Sequence, residues 1–304
     1  MAKKLAAVGW QGITLKVPED WSLVGVDGDA KKGYFRVDGP VASALEVRWS
    51  SALGKKPDLL VKGREYLSGL EKTHRKKRLK FSSKVKLDDV DSNSANFVWR
   101  SDTLGQGRLI YCSQCDRVII AQIVSARDDD MSGIAPVMLG SIVDHREDGW
   151  TNWALFGLEF AVPPGYVIKK QTLASGYLLL TFQRGKSALI IERWGLAATL
   201  LSTDTIEQWY KKDAGPDIKG YHYDLTEHAV AGHEGIELQG RRSGIKQAAK
   251  AVASSFTLHP FPGLISGYAW YCEPSNRLFG VRATHVDGDD VAERVRDTIK
   301  CHKD

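Results

Sequence analysis

The sequence predicts an α+β fold: two tandem copies of an antiparallel sheet with helices packed on it. Three observations lead there. Gly12 stands six residues before Pro18 and Gly157 six residues before Pro163, and 31 residues after each proline comes a tryptophan, Trp49 or Trp194. A spacing kept over that length marks an internal duplication. Alternating apolar runs bounded by Gly, Pro and Asp read as strands. Each half also carries stretches of helical period. A length of 304 residues suits two domains, and the polar stretch 145–150 divides them into 1–150 and 151–304.

Ile13, Leu15 and Val17 alternate with Thr14 and Lys16, and Pro18 ends that strand because it cannot donate to a ladder. Strands follow at 33–37 and 45–49. Pro57 and Asp58 open a helix whose stripe is Leu59, Leu60, Tyr66, Leu67 and Leu70, weakened by Gly63 and Gly69. Strands are expected at 97–100, 108–111 and 118–124, with 112–116 as the turn before the last. Acidic residues at 128–130 then precede a helix carrying Ile134, Met138 and Ile142.

The second half repeats the order: strands at 157–162, 176–182 and 188–194, then a helix at 203–212 with Ile206, Trp209 and Tyr210 on one face. A turn at 271–272, a strand at 277–284 and a closing helix with Val291, Val295 and Ile299 complete it. Cys112-x-x-x-x-Arg117 corresponds to Cys272-x-x-x-x-Arg277, so the register holds through both hairpins. Between tryptophan and cysteine the second copy is 15 residues longer, 78 against 63. The extra length is placed at 245–262, with a short helix at 246–253. One strand breaks the pattern. Leu45, Val47 and Trp49 share a face, but Trp194 shares one with the charged Glu192, so that strand is expected to be buried on both faces or bulged.

At the Gly-x-x-x-x-x-Pro-x-x-aromatic motif, Gly12 to Trp21 and Gly157 to Tyr166, each half resembles the PsbP/DcrB-like family. The resemblance implies an antiparallel sheet sandwiched between helices, and it carries over no functional residue.

Composition narrows the function classes. A hydrophobic content of 43% with nine tryptophans is enough for two cores. No apolar run reaches the roughly 18 residues that span a bilayer, and the first ten residues have the charges of a signal peptide without its apolar stretch. A cytoplasmic protein that does not enter the membrane is expected. Four cysteines are too few for a disulfide framework. A net charge of +5 permits an acidic partner without demanding one.

Cys112 and Cys115 supply half of a tetrahedral zinc site. The other half would need ligands such as His145 or His74 folding across, and the plainer reading is a pair of reduced thiols with no cofactor. A redox pair would sit at a helix N-terminus, whereas the run after Cys115 reads as strand. His222, His228 and His233 lie near carboxylates, but their spacing fits no metal or triad pattern. No Gly-x-Ser-x-Gly, P-loop or dinucleotide fingerprint is present.

The densest charge is Arg75, Lys76, Lys77, Arg78 and Lys80, echoed by Arg241, Arg242 and Lys246. Either cluster could serve phosphates or carboxylates. The sequence therefore reads as a non-catalytic binding or adaptor protein whose basic surfaces meet an acidic protein or a nucleic acid. The alternative is a metal protein or enzyme using Cys112/Cys115 or the segment from His222 to His233.

Overall fold

The computed structural model describes residues 4–40, 42–88, 92–129, 131–215, 217–242, 262–286 and 291–302. The chain forms two compact units, Met1–Gly157 and Leu158–Asp304.

Unit 1 opens with β1 (Leu5–Trp10) and β2 (Ile13–Pro18), then the meander β3 (Ser22–Gly28), β4 (Lys32–Asp38) and β5 (Ala44–Ser51). Helix α1 (Leu59–Lys76) leads to a second meander: β6 (Ser82–Leu87), β7 (Ser94–Arg100), β8 (Thr103–Cys112) and β9 (Arg117–Ala126). A short α2 (Ala135–Gly140) and β10 (Thr151–Leu155) follow. The meanders join through β5 and β9 into one antiparallel seven-stranded sheet of order β3-β4-β5-β9-β8-β7-β6, while β10, β1 and β2 pair separately in that order.

Unit 2 holds β11 (Leu158–Val162), β12 (Val167–Leu173), β13 (Tyr177–Arg184) and β14 (Ser187–Gly195), then the short helices α3 (Ala197–Leu200) and α4 (Ile206–Asp213). Next come β15 (Tyr221–Glu227), β16 (Gly235–Arg242), β17 (Leu264–Cys272), β18 (Arg277–His285) and α5 (Val291–Arg296). Its sheet has the order β12-β13-β14-β18-β17-β16-β15. Counted from the first strand of each sheet, that is the same order as in unit 1.

The α+β expectation of sheets with helices packed on them is corrected by this content: 51% of the described residues are in strands and 17% in helices. The molecule is predominantly antiparallel β. The reason lies at the sheet margins. Strands β3, β6, β12 and β15 are the outer strands of the two seven-stranded sheets, and in SSKVKL and YHYDLTE the apolar residues are few and only half-buried. An outer strand is stabilised by one neighbour's ladder and needs little burial of its own. The helices are also shorter than expected, since Ile142 and Ile299 lie beyond α2 and α5. The expected helix at 246–253 lies outside the described residues, as do Asp130, Asp289 and Asp290.

One long helix does cover unit 1's sheet. Asp58 caps α1 by accepting from the N–H groups of Leu60 and Val61. Its buried stripe of Leu59, Gly63 and Leu67 meets Phe97, Trp99 and Leu109, and Tyr66 stands edge-on to Phe97 at 5.5 Å. Gly63 has a packing reason, because a Cβ there would lie 2.8 Å from Val85 Cγ2. In unit 2 the helix α4 does the same work. Thr205 and Gln208 form a capping box, and Ile206, Trp209 and Tyr210 pack with Trp194, Leu238 and Ala269. Trp153, Trp209 and Trp270 are all core residues.

Strand β5 alternates in burial, but β14 buries Ile191, Glu192, Arg193 and Trp194 in succession. It is therefore covered on both faces at that point. Glu192 is tolerated there because Arg282 pairs with it at 2.9 Å and the Tyr177 hydroxyl donates to it at 2.5 Å. Burial nevertheless pushes its carboxyl above the usual range, outweighing the pull of Arg282.

Candidate functional site

Hairpin β8–β9 ends β8 at Cys112, directly across from Arg117, and places Cys115 in the turn. The Cys112 sulfur accepts the Cys115 N–H at 3.3 Å. Beyond α2, Val143 forms a bridge with Thr14 of β2. That bridge brings the next two residues, Asp144 and His145, to the hairpin. His145 Nδ1 lies 3.3 Å from the Cys112 sulfur. One ligand atom each from Cys112, Cys115, Asp144 and His145 falls within 4.8 Å of the others.

Asp144 is held firmly. The buried Arg117 donates from Nε to its Oδ1 at 2.6 Å and from a terminal nitrogen to its carbonyl at 3.0 Å; another terminal nitrogen reaches the Gln11 carbonyl at 3.1 Å. Among the described residues the buried Oδ2 takes no N–H or O–H donor, and the thiols of Cys112 and Cys115 are neighbours of the Asp144 carboxylate. Burial first, and the Asp144 carboxylate after it, keeps both thiols above their ordinary range.

Unit 2 builds a second cluster at the corresponding corner. Cys272 ends β17 opposite Arg277. Lys300 bridges Glu159 of β11, and the next two residues are Cys301 and His302. Thr14 and Glu159 each stand two residues after the glycine of the repeated motif, so the two bridges are counterparts. His302 Nδ1 lies 3.3 Å from both the Cys272 and Cys301 sulfurs, and His233 Nε2 lies 3.4 Å from Cys301. Again all four ligand atoms fall within 4.8 Å. Burial and the neighbouring Cys272 push the Cys301 thiol up to about 11. Burial and His302 hold His233 below the usual imidazole range.

The four cysteines of the chain are thus all used, two at each corner. Sequence reasoning found Cys112 and Cys115 and named His145, but missed Asp144, His233, Cys272, Cys301 and His302 as a set. The available signal was the pair of dipeptides Asp144-His145 and Cys301-His302, each closing its half of the chain.

His222, His228 and His233 do not converge. His222 sits in β15 across from Arg241, and together with Asp224 and His285 they line a groove. His228 Nδ1 lies 3.7 Å from Glu237, with its ring tilted at 55° against Tyr268. Only His233 joins a cysteine.

The basic cluster lies at the end of α1. His74, Arg75 and Lys76 fill the last turn, where cations suit the helix dipole. Lys77 caps it, and Arg78, at φ 58°, turns the chain out. Beneath this end, His74, Phe81 and Trp99 form an aromatic cluster with Phe81 stacked on Trp99 at 5.7 Å. Arg75, Lys76, Lys77, Arg78 and Lys80 are all exposed. Among the described residues none of them forms an ion pair, whereas Lys62 on the same helix pairs with Glu65. Arg241 and Arg242 are exposed at the end of β16; Lys246 lies outside the described residues.

No protein-family model matches the chain, and no curated protein matches its sequence. Solved structures similar to it include the apo immunity protein TplEi of the type VI secretion system of Pseudomonas aeruginosa, at 12% identity and a TM-score of 0.34, covering 97% of this chain and 96% of that one. The same immunity protein complexed with "L" peptide matches at 9% identity and 0.34, covering 98% of each chain. A chain of the Tle4–Tli4 complex matches at 12% identity and 0.33, covering 99% of each. Overlaps of this size carry no argument about this chain's partner. No helix among the described residues is long and apolar enough to cross a membrane.

Proposed function

We propose that this chain is a non-catalytic binding protein that holds an acidic partner protein against the basic end of α1. The observation behind this reading is the run of five exposed cations at Arg75, Lys76, Lys77, Arg78 and Lys80, unpaired among the described residues. Like charges set this close repel one another over a screening length of about 8 Å at physiological salt. A fold gains nothing from that repulsion, whereas an acidic surface would relieve it and be steered in by it. The aromatic cluster of His74, Phe81 and Trp99 fixes the base of the ridge, so the cations are presented from ordered backbone.

The duplication belongs to the same reading. The two units are copies of one ancestral domain, and the identical strand order of their sheets supports it.

Biosensor binding to an immobilised polyglutamate peptide across a salt series tests the ridge, with duplex DNA as the second probe. Affinity for polyglutamate should fall as salt rises, and it should drop in a K76Q/K77Q/R78Q variant whose melting temperature is unchanged. No binding at low salt, or binding of duplex DNA alone, would count against a protein partner.

A further inference from the structure

We propose that each unit carries a structural zinc site at the same corner of its sheet: Cys112, Cys115, Asp144 and His145 in unit 1, and His233, Cys272, Cys301 and His302 in unit 2. The plain-thiol expectation for Cys112 and Cys115 is thereby revised.

Geometry is the first argument. A tetrahedral zinc ion binds sulfur at about 2.3 Å and nitrogen or carboxylate oxygen at about 2.0–2.2 Å. Its ligand atoms therefore stand roughly 3.3–3.8 Å from one another. The sulfur-to-imidazole distances are 3.3 Å in unit 1, and 3.3, 3.3 and 3.4 Å in unit 2, while no ligand atom is farther than 4.8 Å from another in its set. Small side-chain rotations close either set around one ion.

Charge is the second argument. In unit 1 two thiolates and one carboxylate would bring three negative charges, balanced by the ion together with Arg117. Arg117 already holds Asp144 through Oδ1 and its carbonyl. That leaves the buried Oδ2, which among the described residues takes no N–H or O–H donor, as the oxygen available to an ion. This is the outer-shell support that orients a metal ligand. In unit 2 two thiolates and two neutral imidazoles would balance the ion by themselves, with Cys301 in Asp144's place.

Repetition is the third. The bridges Thr14–Val143 and Glu159–Lys300 and the hairpin pairs Cys112–Arg117 and Cys272–Arg277 build one frame twice. Each frame presents a cysteine from the hairpin and a histidine two residues past the bridge. The remaining ligand positions are filled by different residues, Asp144 and Cys115 against Cys301 and His233. Four protein ligands leave no open position for a substrate, which is the arrangement of a structural and not a catalytic ion.

The test is cobalt(II) titration of chelator-treated full-length protein, followed by the visible absorption of tetrahedral thiolate-bound cobalt and reversed by zinc. Wild type should take up two equivalents. C112S/C115S and C272S/C301S should each take up one, and the quadruple variant none. Melting of all variants in excess chelator, compared with chelator-treated wild type, shows whether they fold; H145A and H302A, each leaving both cysteines of its site in place, should lose one equivalent each if a double variant does not fold. Absence of the tetrahedral spectrum in folded wild type would overturn the proposal, as would uptake that the cysteine and histidine substitutions leave unchanged.

Discussion

The two units set out the same sheet and the same hairpin corner, yet they fill that corner with different chemistry. In unit 1 Asp144 is tied to the buried Arg117; in unit 2 the position holds Cys301, and the fourth ligand comes from the loop before β16 as His233. The frame is kept because backbone pairing sets it: a bridge two residues before each histidine and a cysteine facing arginine across each hairpin. Side chains can change on that frame as long as their total charge still suits the ion. A second contrast has the same lesson. The Arg-Trp pair recurs as Arg48-Trp49 and Arg193-Trp194, but Arg48 is exposed and Arg193 buried. Burial lowers the Arg193 guanidinium to about 10, and it donates to the Ser175 carbonyl at 3.2 Å.

The largest expected effect comes from removing zinc. If free metal stands about a thousandfold above its dissociation constant, chelation should cost about 4 kcal/mol of stability per site, read as a fall in melting temperature. C112S/C115S and C272S/C301S should each remove part of that response, which shows whether the two corners contribute equally. Zinc binding must also expel protons from thiols that burial holds above their ordinary range. Affinity should therefore rise with pH, and calorimetry in buffers of different ionisation enthalpy should detect proton release on binding.

The next effect separates β14 from β5. Glu192 and Arg282 are both 5% exposed, and R282M leaves the buried Glu192 carboxylate without its cation. A loss of about 3 kcal/mol in urea denaturation is expected. The pH sign follows from the raised carboxyl. Its contribution is fully present below the ordinary glutamate pKa and is lost as pH rises through the folded value. Wild-type stability should show that decline, and E192Q should not.

Much of this was legible in sequence, and unevenly so. The strands β2, β4, β5, β7, β8, β9, β11, β13, β14 and β18 could be read because their apolar residues show, whereas the interior strands β16 and β17 were missed. The outer strands β3, β6, β12 and β15 could not be read either, which is why helix was overweighted. Cys112 and Cys115 stood out because only two residues separate them. The grouping of His233, Cys272, Cys301 and His302 did not, because a hairpin, a bridge and a loop bring them together from far apart along the chain. The basic run at 75–80 was visible as charge, but the aromatic cluster beneath it depends on Trp99 from β7.

Smaller effects sharpen the comparison of the two helices. D58A and T205A each remove an N-cap, on α1 and α4 respectively, and each should cost about 1 kcal/mol. A much larger loss on α4 would show that its short length depends on the capping box. Smallest of all, K76Q/K77Q/R78Q should change stability by less than about 0.5 kcal/mol while weakening polyglutamate binding.

The most direct measurement of the shared corner is zinc K-edge X-ray absorption on the zinc-loaded wild type and on C112S/C115S. Wild type should show an average shell of two sulfurs at about 2.3 Å and two nitrogen or oxygen neighbours at about 2.0–2.2 Å. The variant should keep one zinc with two sulfurs and two imidazoles. A shell of nitrogen and oxygen alone in the wild type would place the metal elsewhere and contradict a metal corner built twice.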